Sequence, residues 1–194
     1  MRPNLVLPLL LVMSVLATVA VACGGGDSDA QPFDPEISVL GEIAFSSPAF
    51  DDGDDIPVEF TCDGANSSPP LRWAELPTGT RSIAIILDDP DAPGQIYRHW
   101  SVYNIPSGTH SLSAGQMNTS ALKDSTRQGQ NSFGSTGYGG PCPPTGQEHE
   151  YLFFIYALSE QLALDENASP LQVSEAIRGL VVGTGSFSGM YVRR

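Results

Sequence analysis

The chain has 194 residues, 41% hydrophobic and 16% charged, with a formal net charge of -13. That length fits one ordinary domain behind an apolar leader, and 20 Gly with 16 Pro favour a turn-rich, β-dominated fold over a disordered or coiled one. Nucleic acid is not an expected partner, because gripping a phosphate backbone needs clustered Lys and Arg, and only 9 stand against 22 Asp and Glu.

At the start of the chain, Arg2 precedes an apolar run over residues 5–22, the charged-then-apolar order of a secretory signal. Ala20 and Ala22 lead into Cys23, which resembles a lipobox, in which the Cys becomes the lipidated first residue; Ala20 stands where Leu or Val is usual. Ala20-Val21-Ala22 also suits an ordinary signal peptidase, and the length of the run permits an uncleaved anchor. The expected organisation is a lipoprotein-type signal peptide over 1–22, a flexible tether over 23–36 rich in Gly, Ser and Asp, and one domain over 37–194. Such a protein is exported and held by lipid at the extracytoplasmic face of the cell envelope. Several acyl chains, each contributing about 0.8 kcal/mol per buried methylene, make that anchoring stable.

Three cysteines in an exported chain leave an odd one. With Cys23 carrying lipid, Cys62 and Cys142 remain, and a disulfide between them is expected in an oxidising compartment. Two free buried thiols are the alternative, since spacing alone does not bring two Cα atoms within bonding distance.

Further along, residues 37–46 and 58–61 read as short strands. The acidic turn Asp51-Asp52-Gly53-Asp54-Asp55 between them lacks the spacing and downstream Glu of an EF-hand, so no metal is expected there. Residues 81–87 carry Ile83, Ile85 and Ile86 and stop at Asp88, which suits a buried central strand delivering its acids to a rim. Residues 97–105 and 151–159 are aromatic and β-branched enough to be strands. Residues 106–148 between them are long and irregular, a length that in a compact domain usually carries function. Ser169-Pro170 opens a helix with Leu171, Val173, Ile177 and Leu180 on one face, and 185–192 reads as a last strand.

Four segments fall together in order. They are Phe60-Thr61-Cys62-Asp63-Gly64 with Ser68-Pro69-Pro70-Leu71-Arg72-Trp73; Asp88-Asp89-Pro90-Asp91-Ala92-Pro93; His99-Trp100 with Val102 and Asn104; and Gly137-Tyr138-Gly139-Gly140-Pro141-Cys142-Pro143-Pro144 running to His149-Glu150-Tyr151. In this order and spacing the chain resembles the phosphatidylethanolamine-binding, Raf-kinase-inhibitor-like family in its short bacterial and archaeal branch, over about residues 38–192. The resemblance implies a mainly β, antiparallel sandwich-like fold with a C-terminal helix. It also implies a small pocket that accepts phosphate or a phosphoryl head group, formed by Asp89, His99, His149 and Tyr151, with Asp91 beside them and Pro141, Pro143 and Pro144 on the rim. Thr145 and Glu150 stand where the family commonly has Lys and Arg, which lowers the positive charge and favours a weaker or less charged ligand.

Two imidazoles and a phenol can donate hydrogen bonds to an oxyanion, while a carboxylate can orient an imidazole or accept from an ammonium group. Phosphorylethanolamine carries both signs and suits such a set. Of three His, His99 and His149 fall in the matched motifs and His110 reads as a loop residue; Trp73 and Trp100 read as core. An Asp in a Pro-flanked turn often only caps backbone groups, which is the plainer role for Asp91. The expected function is binding of a small anionic or phosphorylated ligand without catalysis and without a cofactor. Two His and one carboxylate have the composition of a metal site, and a hydrolase is a further alternative, but the chain has no Gly-x-Ser-x-Gly elbow. The competing reading is an inhibitor of an envelope protease acting through a surface loop such as 106–130.

Overall fold

The computed structural model describes residues 41–194. The expected signal peptide over 1–22, the expected lipid site at Cys23 and the expected tether over 23–36 lie outside the described residues, as does the first part of the strand expected over 37–46. The described chain runs β1 (Phe45–Ser46), a 3-10 turn (Val58–Phe60), β2 (Leu71–Trp73), β3 (Ser82–Asp89), β4 (Tyr97–Pro106), β5 (Ser111–Leu112), β6 (Arg127–Gln128), β7 (Glu148–Leu158), α1 (Pro170–Ile177) and β8 (Val181–Val192). Two antiparallel sheets form, one of three strands in the order β1-β2-β5 and one of five in the order β6-β4-β3-β7-β8. The fold is mainly β with one helix near its end, as expected.

β3 is the middle strand of the large sheet, and all eight of its residues are buried. This explains an apolar run where a half-solvated antiparallel strand would alternate. Its inward side chains Ile83, Ile85 and Leu87 meet Trp100, Val102, Tyr151, Phe153 and Phe187 of the neighbouring strands and Phe45, Leu71 and Trp73 of the small sheet. Its outward side chains Ala84 and Ile86 pack with Tyr103 and Tyr156 under Val173 and Ile177 of α1. Each such aliphatic side chain, once fully buried, contributes roughly 1.5–3 kcal/mol of transfer free energy. The helix starts where Ser169 and Gln172 cap one another reciprocally, with Pro170 at the first helical position. It stops at Arg178, before Gly179 at φ 77°. Leu171, expected on its apolar face, is exposed.

Several expected boundaries move. Residues 58–61 form a 3-10 turn rather than a strand, because Thr61 folds back: its backbone N–H and its hydroxyl both donate to the Val58 carbonyl, at 3.0 and 2.9 Å. Of the strand expected over 37–46, the described part is strand only at Phe45–Ser46. β2 was not anticipated as a strand, β7 begins three residues earlier than expected, and β8 begins at Val181 rather than 185. Gly185 is required where the chain at Ile43 crosses β8, since a Cβ there would collide with the Ile43 carbonyl oxygen.

Two features lock the frame. Cys62 and Cys142 are disulfide-bonded across a sequence separation of 80. On the outer face, Arg98 grips Asp88 with two bonds, Nε to Oδ1 at 2.5 Å and Nη2 to Oδ2 at 3.0 Å, and Nη1 donates to the Ser174 hydroxyl of α1 at 3.3 Å. Breaking a fully buried pair from one side leaves an uncompensated charge. Asp88→Ala is therefore expected to cost about 3–5 kcal/mol of unfolding free energy, read as a lowered urea midpoint; a loss under about 0.5 kcal/mol, the range of ordinary surface changes, would contradict it. Reduction, or Cys62→Ser with Cys142→Ser, releases a loop whose closure accounts for about 4 kcal/mol in the chain-entropy view. The same urea titration with and without reductant checks this, and coincident curves would refute it.

Candidate functional site

At the end of β3 the strand alternation sends Asp88 outward and Asp89 inward, and both are buried. His149 and Tyr151 lie two apart on β7 and therefore share the inward face with Asp89. His99 arrives there by a different route. The β3–β4 register pairs Leu87 with Trp100 and Asp88 with Arg98, so His99 is the extra residue of a β-bulge. Simple alternation would turn His99 away from the face that Trp100 occupies, whereas the bulge lets both point inward. Its backbone carbonyl, left without a ladder partner, accepts from Gly139 N–H at 2.9 Å.

Asp89 is the hub. Its Oδ2 accepts from His149 Nδ1 at 2.8 Å and lies 3.9 Å from His99 Nε2, while its Oδ1 accepts from the Asp91 backbone N–H at 2.9 Å. His99 Nδ1 lies 2.7 Å from the Gly139 carbonyl oxygen. A carbonyl and a carboxylate oxygen only accept, so the Nδ1 of each imidazole carries a hydrogen. Each neutral ring is left with a bare Nε2, which can donate only after taking up a proton. The one N–H of each neutral ring is thus already spent inside the protein, so imidazole donation to a ligand from both rings requires both to be protonated. Burial holds His99 below the usual imidazole range, against the opposing pull of the Gly139 carbonyl and of Asp89.

The Tyr151 hydroxyl is the remaining donor. It is fully buried and makes no hydrogen bond of good geometry, although the Asp89 carboxylate and the Cys142 backbone lie close enough to perturb it. Burial, and after it the Asp89 carboxylate, pushes its pKa far above the ordinary phenol value, so it keeps its proton. Its ring meets His99 edge-on at 5.2 Å. A buried hydroxyl without a partner costs roughly 1–3 kcal/mol, which marks it as a place where a partner belongs.

The other expected site residues divide. Asp91 is exposed and accepts from the Glu150 backbone N–H at 2.8 Å, tying the turn after β3 to β7, in keeping with its capping role. Pro141 is buried, with its carbonyl accepting from Cys62 N–H at 3.1 Å, and Pro143 is buried as well. Pro144 is exposed in the turn leading to β7. Thr145 is exposed beside it, and His110 is an exposed loop residue as expected. Trp73 and Trp100 are core, their indole N–H groups donating to the Thr109 carbonyl at 2.8 Å and to Gln128 Oε1 at 2.6 Å. Sequence reasoning missed Gly139, whose carbonyl fixes the His99 tautomer, and Tyr97 and Phe133, whose rings pack edge-on against His99 at 5.4 and 5.2 Å. The adjacent glycines of the Gly137–Pro144 motif were the available signal for the first; nothing marked the other two. A separate groove of about 1240 Å³, lined by Trp73, Phe154 and Tyr156 among others, contains none of the four inward residues.

Residues 46–192 match the family described as phosphatidylethanolamine-binding protein. A UPF0098 protein of Methanothermobacter thermautotrophicus is 44% identical over 145 residues, covering 75% of this chain and 95% of that protein. LppC of Mycobacterium tuberculosis, whose name proposes a lipoprotein, is 36% identical over 197 residues, covering 95% of each. The crystal structure of Escherichia coli YbcL superposes with a TM-score of 0.74 at 32% identity, covering 79% of this chain and all of that one. The chain therefore belongs to the phosphatidylethanolamine-binding protein family.

Proposed function

We propose that this protein binds a small oxyanion, a phosphate or a phosphoryl head group, at the Asp89, His99, His149 and Tyr151 corner, without catalysing a reaction, and that a lipid on Cys23 holds it at the outer face of a cell-envelope membrane. The observation that carries the binding reading is the buried Tyr151 hydroxyl, which makes no well-formed hydrogen bond within the protein, set beside two imidazoles whose bare nitrogens become donors on protonation. Protonated, the two rings present two Nε2–H groups, which with the Tyr151 hydroxyl make three donors beside one acid. Charge-assisted bonds of that kind are the strong ones. Asp89 makes the corner selective, since it repels a bare dianion unless protons or a ligand cation accompany it. The non-catalytic reading is supported by Cys142, whose sulfur is held in the disulfide and so is not available as a nucleophile. The envelope reading is supported by that same disulfide, by the signal-like leader ending at Cys23, and by the likeness to LppC along almost the whole chain.

If oxyanion binding recruits protons to the rings, affinity rises as pH falls. Because burial depresses the free-state pKa of His99, that rise continues below about pH 6.5, the ordinary imidazole value, rather than levelling there. Sulfate keeps its charge across this window, so calorimetric titration with sulfate from pH 8 to pH 5.5 isolates the protein's own protons; affinity independent of pH would overturn the reading. His99→Ala and His149→Ala are each expected to cost about 1.5–3 kcal/mol, or one to two decades in Kd. Asp89→Asn is expected to bind sulfate at least as well as the parent and phosphorylethanolamine less well. Variants that bind both ligands as the parent does would instead bring forward the protease-inhibitor reading.

The anchor is tested separately. Cys23→Ser is expected to shift the protein from the membrane fraction to the soluble fraction or to leave an unprocessed precursor. Unchanged processing and membrane association in that variant would show an ordinary apolar anchor.

A further inference from the structure

Among the described residues four large apolar side chains are prominently exposed, Val58, Met117, Phe133 and Leu171. Phe133, 47% exposed, is the one of these in ring contact with the site, at 4.9 Å from Tyr97 and 5.2 Å from His99, edge-on to both. Single exposed apolar side chains are ordinary on protein surfaces. What sets this one apart is how firmly it is held.

The turn that bears Phe133 is fixed by a set of hydrogen bonds out of proportion to its size. Asn131 Oδ1 accepts from the backbone N–H groups of Phe133 and Ser135, both at 3.1 Å, and Asn131 Nδ2 donates to the Gly137 carbonyl at 3.0 Å. Ser132 takes both backbone groups of Arg98, its N–H donating to the Arg98 carbonyl at 2.8 Å and its hydroxyl accepting from Arg98 N–H at 2.9 Å. The turn is thereby docked on β4 next to the bulge that presents His99. Gly139 completes the fit, since a Cβ there would stand 2.7 Å from the Phe133 ring. The ring thus lies against the Gly139 backbone on one side, touches His99 and Tyr97, and keeps nearly half its surface open.

An aromatic surface already immobilised against its own backbone loses little conformational freedom when something packs on it. The charged groups nearby offer no rival attraction for an anion's substituent: Arg98 is committed to Asp88, and Asp91 to the Glu150 backbone. We propose that Phe133, with Tyr97 beside it, is a specificity-determining wall that receives a flat apolar group attached to the oxyanion, so that the site prefers aromatic phosphate esters to small phosphates. This rests on the oxyanion reading of the corner and goes beyond it by naming the class of ligand. Offset or edge-on ring contacts of this kind favour one ligand over another by several-fold.

The test compares phenyl phosphate with methyl phosphate, which share the same phosphoryl group, by calorimetry at about pH 5, where both are mainly monoanions, on the soluble domain, the parent beside Phe133→Ala and Phe133→Trp. The parent is expected to bind phenyl phosphate at least fivefold more tightly than methyl phosphate, Phe133→Ala to bring that ratio close to one, and Phe133→Trp to preserve it. Circular dichroism and thermal midpoints establish that each variant is folded; if Phe133→Ala is not, the ratio in Phe133→Leu, which keeps bulk without a ring, is expected to fall in its place. Equal binding of the two esters by the parent, or an unchanged ratio in the ring-less variant, overturns this inference while leaving the oxyanion reading intact. Binding of neither ester at millimolar concentration overturns both.

Discussion

β3 ends in two adjacent carboxylates that the sheet buries on opposite faces, and the geometry of the whole corner follows from satisfying them. A buried carboxylate without a partner is costly enough that it must be paired, hydrogen-bonded or neutralised. Asp88 on the outer face takes the Arg98 guanidinium, which also reaches α1. Asp89 on the inner face takes the His149 imidazole and the Asp91 N–H. Arg98 and His99 are neighbours on one strand, so serving both acids would be awkward in regular alternation with Trp100 also inward. The bulge at His99 resolves this by letting Arg98 stay outside while His99 and Trp100 both face in.

A bulge leaves backbone groups without ladder partners, and here the irregular segment 129–142 supplies them. Ser132 serves Arg98 and Gly139 serves His99. For that segment to come so close it must lack side chains at several points, Gly139 and Gly140 among them. A Cβ on Gly139 would meet the Phe133 ring at 2.7 Å, and one on Gly140 would meet the Phe60 carbonyl oxygen at 2.6 Å. Asn66 then accepts from Gly140 N–H at 2.7 Å, and the Cys62–Cys142 bond joins the same two stretches covalently. The disulfide is thus placed where it holds the loop that fixes the His99 tautomer. Its contribution to the site is positional as well as thermodynamic.

Much of this was legible in the sequence, and the limits have physical causes. The apolar run ending at Asp88 and Asp89, the Ser169-Pro170 helix start and the even pair of cysteines each report a local rule that the fold obeys. The grouping of Asp89, His99, His149 and Tyr151 came from motif resemblance, and the structure brings all four to one corner. The strand expected at 58–61 failed because Thr61 satisfies its own backbone locally, an option that hydroxyl residues offer and periodicity cannot see. The tautomers of the two imidazoles were beyond sequence pattern for a similar reason. Which nitrogen carries the hydrogen is set by partners 40 and 60 residues away, Gly139 for His99 and Asp89 for His149. Phe133 sat in a stretch without periodic pattern, where exposure and ring contact are properties of the fold alone.

The two acid pairs differ in the permanence of the counter-charge, and this separates structural from functional chemistry. A guanidinium stays charged throughout the accessible pH range, so the Asp88–Arg98 pair is constant and suits a fixed junction between sheet and helix. An imidazole changes charge near neutrality, so the Asp89 corner is negative when both rings are neutral and positive when both are protonated. A chain carrying -13 overall repels anions at long range, but at physiological salt that field fades within about 8 Å. On the proposed oxyanion reading, selection is left to the corner itself, where protonation of the two rings would convert bare nitrogens into donors beside the Tyr151 hydroxyl. On the proposed reading, affinity is governed by how readily a ligand brings or induces those protons, and burial, which outweighs the pull of the Gly139 carbonyl and of Asp89, makes His99 a demanding ring to charge.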